Sequence, residues 1–232
     1  YDDDDYGKVN YAGWLDASGG TPLSPSATGT MKLTNSGGTE QLNFVENSTL
    51  YIRVEDADQN TDCAASESIT STISSENETT AESVTLTEMG LCTGIFTGSI
   101  ALDEALAFNG DGILQVQKGD KLTCTYIDPL GDFGIEKTVK DIAFYRITLK
   151  SGTISTSQAW TKADSPYLIT GDVTVNENKT LTIEAGSVVY VSVNDDQSGG
   201  DDNNRSELRI RGHLIAAGTE TDSIVFISTS ET

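Results

Sequence analysis

The sequence predicts an all-β protein: a two-sheet sandwich followed by a short coiled solenoid of parallel strands. Three observations carry that expectation. In the first part, apolar and polar residues alternate with a period of two between closely spaced turn signals. From about residue 150, short β-branched runs are broken by glycine at close intervals, and the pattern recurs. Long Ala/Leu/Glu/Lys stretches that would form helices are missing, while Gly, Ser and Thr are plentiful, and Thr is a good strand former.

In chain order, "YDDDDYGKVNYAGW" opens an acidic lead-in over residues 1–27 that reads as flexible rather than as a motif. Its first residue is Tyr1 rather than Met, which is expected of a processed or excised product. Over 28–148 the expected strands lie in "TGTMKLTNS", "STLYIRVED", "ESITSTISSE", "AESVTLTEM", "GIFTGSIAL", "GILQVQKGD" and "KLTCTYIDP". Turns fall at Ser36-Gly37-Gly38, Asn109-Gly110-Asp111-Gly112, Gly119-Asp120 and Asp128-Pro129. Short strands at this interval indicate a sandwich. Alternation places Leu50, Ile52 and Val54 on one face and Tyr51 and Arg53 on the other, with Val84 and Leu86 on the matching face of "SVTLTEM".

Over 149–232 the two stretches "SPYLITGDVTVNENKTLTIEAGSVVYV" and "SELRIRGHLIAAGTETDSIVFIST" resemble each other. Each reads as strands bent around a glycine, the pattern of a solenoid whose turns stack in parallel. Val173, Val175, Leu181 and Ile183 are expected to line one coil. Leu208, Ile210, Leu214 and Ile215 are expected to line the next, followed by Ile224 and Phe226. The acidic "NDDQSGGDDNN" at 194–204 is expected to protrude as a loop. Two coils are few, because about three repeats are usually needed to bury a shared core. The solenoid is therefore expected either to be part of a longer one or to be completed by a partner.

Composition narrows function. A formal charge of −22 argues against nucleic acid, which is bound by Lys and Arg neutralising phosphates. It equally disfavours an anionic membrane surface, and no apolar run is long enough to span a bilayer. The charge favours solubility and cation binding, although most of the carboxylates are expected simply to face water. The three cysteines form neither C-x-x-C nor C-x-x-C-H. Cys63 and Cys92 lie in loop-like contexts and are expected to pair, whereas Cys124 alternates with Leu122 and Tyr126 and points into a core. Sequons stand at Asn47, Asn77, Asn178 and Asn204.

The best candidate site is "VEDADQNTDCAASE". Counting from Asp56, side-chain oxygens recur at Asp56, Asp58, Asn60, Asp62 and Glu67, the spacing of an EF-hand calcium loop. Thr61 occupies the place where that loop needs glycine, and strands rather than helices flank it. A helix–loop–helix site is therefore excluded, leaving a calcium-binding turn between strands, with an extracellular-grade affinity of about 10⁻⁴–10⁻³ M. The competing reading is a solvated turn held by local Asx hydrogen bonds. The 194–204 loop clusters carboxylates more loosely and reads as a solvated insertion, and "NGDG" reads as a hairpin turn.

No catalytic constellation stands out. His213 is the sole histidine, and the chain has no G-x-S-x-G, H-E-x-x-H or phosphate-cradling glycine loop. A polysaccharide-cleaving solenoid would need paired carboxylates along a groove, and Glu184 and Asp195 are marked only as surface charges.

"LYIRVEDADQNTD", "SVTLTEMGLCTGIFTGSI" and "NGDGILQVQKGDKLTCTYID" together resemble an immunoglobulin-like module of large exported prokaryotic surface proteins, over roughly 28–140. "AWTKADSPYLITGDVTVNENKTLTIEAGSVV" and "LRIRGHLIAAGTETDSIVFIST" resemble the opening of right-handed parallel β-helices of secreted proteins. These resemblances imply extracellular or cell-surface display and a structural, adhesive or filament-forming role, with copies of itself or other surface proteins as partners. They imply no catalytic activity. The alternative expectation is a glycan-binding module of a larger secreted enzyme or adhesin, for which Trp160, Tyr167 and Tyr190 would be the aromatic platforms.

Overall fold

A computed structural model describes residues 26–193 and 200–229. Nearly all of the expected acidic lead-in, and the 194–199 part of the acidic loop with Asp195, lie outside the described residues. The fold is nearly all β, with two short 3-10 turns at Ala57–Gln59 and Asp132–Gly134. The first strands are β1 (Thr30–Thr34), β2 (Asn43–Phe44), β3 (Thr49–Glu55), β4 (Ser68–Ser74) and β5 (Glu82–Glu88). They are followed by β6 (Ile95–Asp103), β7 (Ile113–Gln115), β8 (Lys121–Asp128) and β9 (Lys137–Tyr145). The chain continues with β10 (Thr148–Ile154), β11 (Gln158–Trp160), β12 (Tyr167–Val175) and β13 (Thr180–Ile183). Last come β14 (Val188–Val191), β15 (Leu208–Ile210), β16 (His213–Ala216) and β17 (Val225–Ser228).

Two compact units divide the chain. The first comprises the described residues up to Leu42, Glu46–Val116 and Leu122–Ala143. Hydrogen bonding follows the path β1-β3-β6-β5-β4-β8-β9 through a curled sheet, with β7 parallel to β6. Register is set by apolar alternation, since slipping one residue would turn every core side chain to solvent. Thus Leu33 stands opposite Ile52, and Val54 opposite Phe96, all of them buried. Leu50, Ile73, Leu86, Leu122 and Cys124 are fully buried as well. Each fully buried side chain of this size contributes roughly 1.5–3 kcal/mol. Gly98 has a packing role: a Cβ there would strike the backbone oxygen of Thr85, so only glycine lets β6 lie against β5 at that point.

The second unit comprises Asn43–Val45, Gln117–Lys121 and the described residues from Phe144 onward. It takes in residues before 149 because Asn43 and Phe44 run parallel to Phe144 and Tyr145. Gly119 N also donates to Tyr145 O, and Tyr145 N to Asp120 O. Beyond them every strand pairing is parallel. β10, β12, β14 and β17 form one stack, with β15 also beside β12, while β11, β13 and β16 form another.

The registers define columns of like residues. Ile154, Val175 and Ile210 stack in one column, and Leu181 and Leu214 in another. Tyr167, Val189 and Phe226 form a third. Val173, Val175, Leu181 and Ile183 are buried, as expected of interior positions. Ile215 stands beside Thr182 rather than beside an interior residue, so it faces the opposite way from Leu214, contrary to expectation.

Candidate metal centre

Alternation also explains why carboxylates are gathered inside the first unit. The buried face of β3 reads Leu50, Ile52, Val54, and the next residue on that face is Asp56, only 2% exposed. On β8 the buried face reads Leu122, Cys124, Tyr126 and ends at Asp128, which is fully buried. The two strand ends thus carry an aspartate each at a core-facing position. The 3-10 turn Ala57–Gln59 then brings Asp58 back beside Asp56. Each of Asp56, Asp58 and Asp128 offers a carboxylate oxygen, and these oxygens all lie within 4.8 Å of one another.

The surrounding hydrogen bonds fix this geometry. Tyr126 Oη donates to Asp56 Oδ2 over 2.7 Å. Asp128 Oδ2 accepts from Gly29 N at 2.9 Å and Asp128 Oδ1 from Leu130 N at 2.9 Å. Asp58 accepts at longer range, from Ala27 N at 3.4 Å and Gln59 Nε2 at 3.2 Å. Asp56 N donates to Gly94 O, tying the turn to the 89–94 hairpin. Gly94 lies in the left-handed region, and a Cβ there would come within 2.8 Å of Ala57 Cα, so glycine is required for that approach.

Within the triad one buried oxygen, Asp56 Oδ1, has no hydrogen-bond partner among the described residues. Burying an unpaired carboxylate oxygen is costly. Burial is accordingly the main reason that the Asp56 carboxyl is pushed up to about 6, with Asp58 and Asp128 adding to the rise and the Tyr126 hydroxyl opposing it. Among the described residues, no Lys or Arg forms an ion pair with these three aspartates. An all-oxygen, three-carboxylate set with an orphaned buried acceptor suits a hard divalent cation. The triad could hold such an ion, with its remaining ligands from backbone oxygens and water.

The five expected ligands are thus divided. Asp56 and Asp58 belong to the cluster. Asn60 lies on the same turn; its Oδ1 is buried without a partner and its Nδ2 sits 3.5 Å from Cys92 Sγ. Asp62 and Glu67 are not part of the triad and instead wind the far side of the loop. Asp62 Oδ1 accepts from Ala64 N, and Glu67 Oε1 accepts from Thr61 N, Thr61 Oγ1 and Asp62 N at 2.6–2.7 Å. Asx-type bonding, one of the two readings of the whole stretch, describes Asp62, while Glu67 folds back on the loop's own amides and leaves its Oε2 buried without a partner among the described residues. Cys63 and Cys92 form a disulfide with Cα atoms 4.4 Å apart, closing the loop against the hairpin. Cys124 is free and buried, and burial pushes its thiol up to about 12.

Asp128 was not foreseen as a ligand, because Asp128-Pro129 reads as a turn signal. The signal available was its place on the buried face of β8, where an aspartate needs a partner.

Other expected positions carry less. His213 is exposed on β16. Glu184 accepts from Lys162 N, a structural bond between segments 22 residues apart. Trp160, Tyr167 and Tyr190 are 1%, 1% and 7% exposed, so none presents a ring face to solvent as a glycan platform must. Trp160 and Tyr167 stack on each other in the core with centroids 5.1 Å apart. No helix among the described residues is long and apolar enough to cross a membrane. No protein-family model matches the chain, and no curated protein matches it.

Proposed function

We propose that this chain is a non-enzymatic structural and assembly protein of the cell surface, serving as an adhesin or filament subunit. In this reading an immunoglobulin-like sandwich, stabilised by calcium at Asp56, Asp58 and Asp128, carries the start of a right-handed parallel β-helix. The observation that carries it is the exposure of the last parallel turn. Within single columns, Val175 is fully buried but Ile210 is 38% exposed, Leu181 is fully buried but Leu214 is 39% exposed, and Val189 is fully buried but Phe226 is 47% exposed. A parallel turn with its interior residues showing, and with no further strand beside it among the described residues, can take another parallel strand. Head-to-tail contacts of that kind extend into filaments when they do not close. The disulfide supports an oxidising, exported setting.

Electron microscopy and sedimentation of the purified chain test this. Fibres or ordered oligomers are expected, lost in Leu214→Lys. Dispersed monomers at high concentration, with and without calcium, would overturn the assembly reading.

A further inference from the structure

At its two ends the buried face of β5 reads Glu82, Val84, Leu86, Glu88, with a glutamate at each end of an apolar pair and all four buried. Glu88 Oε1 accepts from Thr93 N and Gly94 N, while its Oε2 is buried without a partner among the described residues. Glu82 holds the other end. Its Oε1 accepts from Gly110 N and its Oε2 from Gly112 N at 3.0 Å, so both amides of the 109–112 turn rest on one carboxylate.

Glu78, on the turn between β4 and β5, is 1% exposed. Its Oε2 accepts from Gln115 N at 2.8 Å, and Ser75 Oγ bridges Glu78 N and Gln115 O. Gln115 in turn receives Phe108 N on Oε1 and donates to Asp111 Oδ2. The remaining oxygen, Glu78 Oε1, is buried and, with both groups ionised, has no hydrogen-bond partner. Yet Glu78 and Glu82 hold amides only three residues apart, Gln115 N and Gly112 N, and the two carboxyl groups interact. Two carboxylates only accept, so the pair is mismatched as long as neither holds a proton. One proton on Glu78 corrects the mismatch: as a neutral acid it donates from Oε1 toward Glu82, whose oxygens hold both glycine amides.

We propose that Glu78 carries a proton that it donates toward Glu82, and that this proton is a pH-sensitive latch on the 104–112 loop, which displays Leu106 and Phe108. The charged or titratable groups facing Glu78 are Glu82 from β5 and Asp111 from the turn before β7; neutral Gln115 contributes its backbone amide. Burial, Glu82 and Asp111 all raise Glu78 above the ordinary glutamate range, while Gln115 opposes them. The latch is therefore closed at low pH and opens as pH rises through that raised value, when two buried like charges face each other. Leu106 is 90% and Phe108 68% exposed, so release would loosen a loop bearing two large apolar side chains. The device is distinct from the aspartate triad, whose nearest clamp is the Glu88 end of β5.

Amide exchange measured by NMR on the full chain tests the latch. Protection at Gly110 and Gly112 should fall by up to about tenfold per pH unit above the titration, after correction for intrinsic exchange. Glu78→Gln should keep the latch shut at every pH, because its amide donates to Glu82 without titrating. Protection in the wild type that is independent of pH would overturn the proposal. So would protection restored at high pH by added calcium or sodium, which would mean that the pair takes a cation rather than a proton. If Glu78→Gln does not fold, the side-chain carboxyl resonance of Glu78 in the wild type decides: it must titrate above the ordinary glutamate range.

Discussion

Tyr126 Oη donates a 2.7 Å hydrogen bond to Asp56 Oδ2, joining the ends of β8 and β3 across 70 residues of sequence. Both groups are buried, so the bond orients the one aspartate that has an oxygen left without a partner. Tyr126→Phe removes the donor and leaves Asp56 Oδ2 unpaired. A loss of about 1–3 kcal/mol is expected in chelator, the usual range for a buried bond to a charged group. Chemical denaturation read in chelator and again in calcium checks this. If the triad binds the ion, calcium affinity should fall as well.

The acidity of Asp56 sets a pH dependence with a definite sign. Its carboxyl is raised from an ordinary 3.8 to about 6, so the folded state holds that proton more tightly than the unfolded chain does. The stability linked to that proton is fully present below the unfolded value and is lost as pH rises through about 6. A bound divalent cation reverses the slope, because it needs the deprotonated carboxylate. The gap between melting temperatures with and without calcium should therefore widen as pH rises through that range. Asp56→Asn should abolish both the widening and the downward slope in chelator that Asp56 contributes.

Substitutions along the loop should separate ligands from scaffolding. Asp58→Asn and Asp128→Asn are each expected to weaken calcium or terbium binding by tenfold or more, at about 1.4 kcal/mol per tenfold. Asp62→Asn should leave binding near the wild type, since its carboxylate only receives the Ala64 amide. Terbium luminescence with a calcium competition arm reads both classes. Equal losses from Asp62→Asn and Asp128→Asn would sink the triad assignment.

This contrast shows what could be read in the residues alone. Strands with strong alternation, such as "LYIRV" and "SVTLTE", were legible because one face is apolar and the other wet. β9 was not, because Lys137–Tyr145 is half-exposed along most of its length and carries Lys137, Lys140 and Asp141 among its β-branched residues. Two of the three aspartates were legible as D-x-D. The third, Asp128, lies 70 residues beyond Asp58 and is brought in only by the pairing of strands. Glu67, which the EF-hand count includes, lies outside the triad: its Oε1 accepts from the loop's own amides, and its Oε2 is buried without a partner among the described residues.

Glu82 and Glu88 show the same limit in another form. They sit at buried positions of an alternating strand, where apolar residues are expected, and their partners are backbone amides in distant turns. Such clamps explain why not all of the acidic excess faces water.

The exposed last turn of the second unit yields a comparison within a single column. Leu181 and Leu214 occupy equivalent places on neighbouring parallel strands, but only Leu181 is fully buried. Truncating a buried leucine costs about 2–5 kcal/mol, so Leu181→Ala should lower the stability of the isolated chain by that amount. Leu214 keeps much of its surface in water, and Leu214→Ala should cost about 1 kcal/mol or less. If another turn stacks on β16, Leu214 becomes interior only in the assembly. Its truncation should then raise the concentration needed for assembly while leaving the melting temperature of dispersed chains almost unchanged. Sedimentation across a dilution series, paired with thermal melts, reads the two effects separately. Loss of monomer stability from Leu214→Ala equal to that from Leu181→Ala would show that its column is already closed.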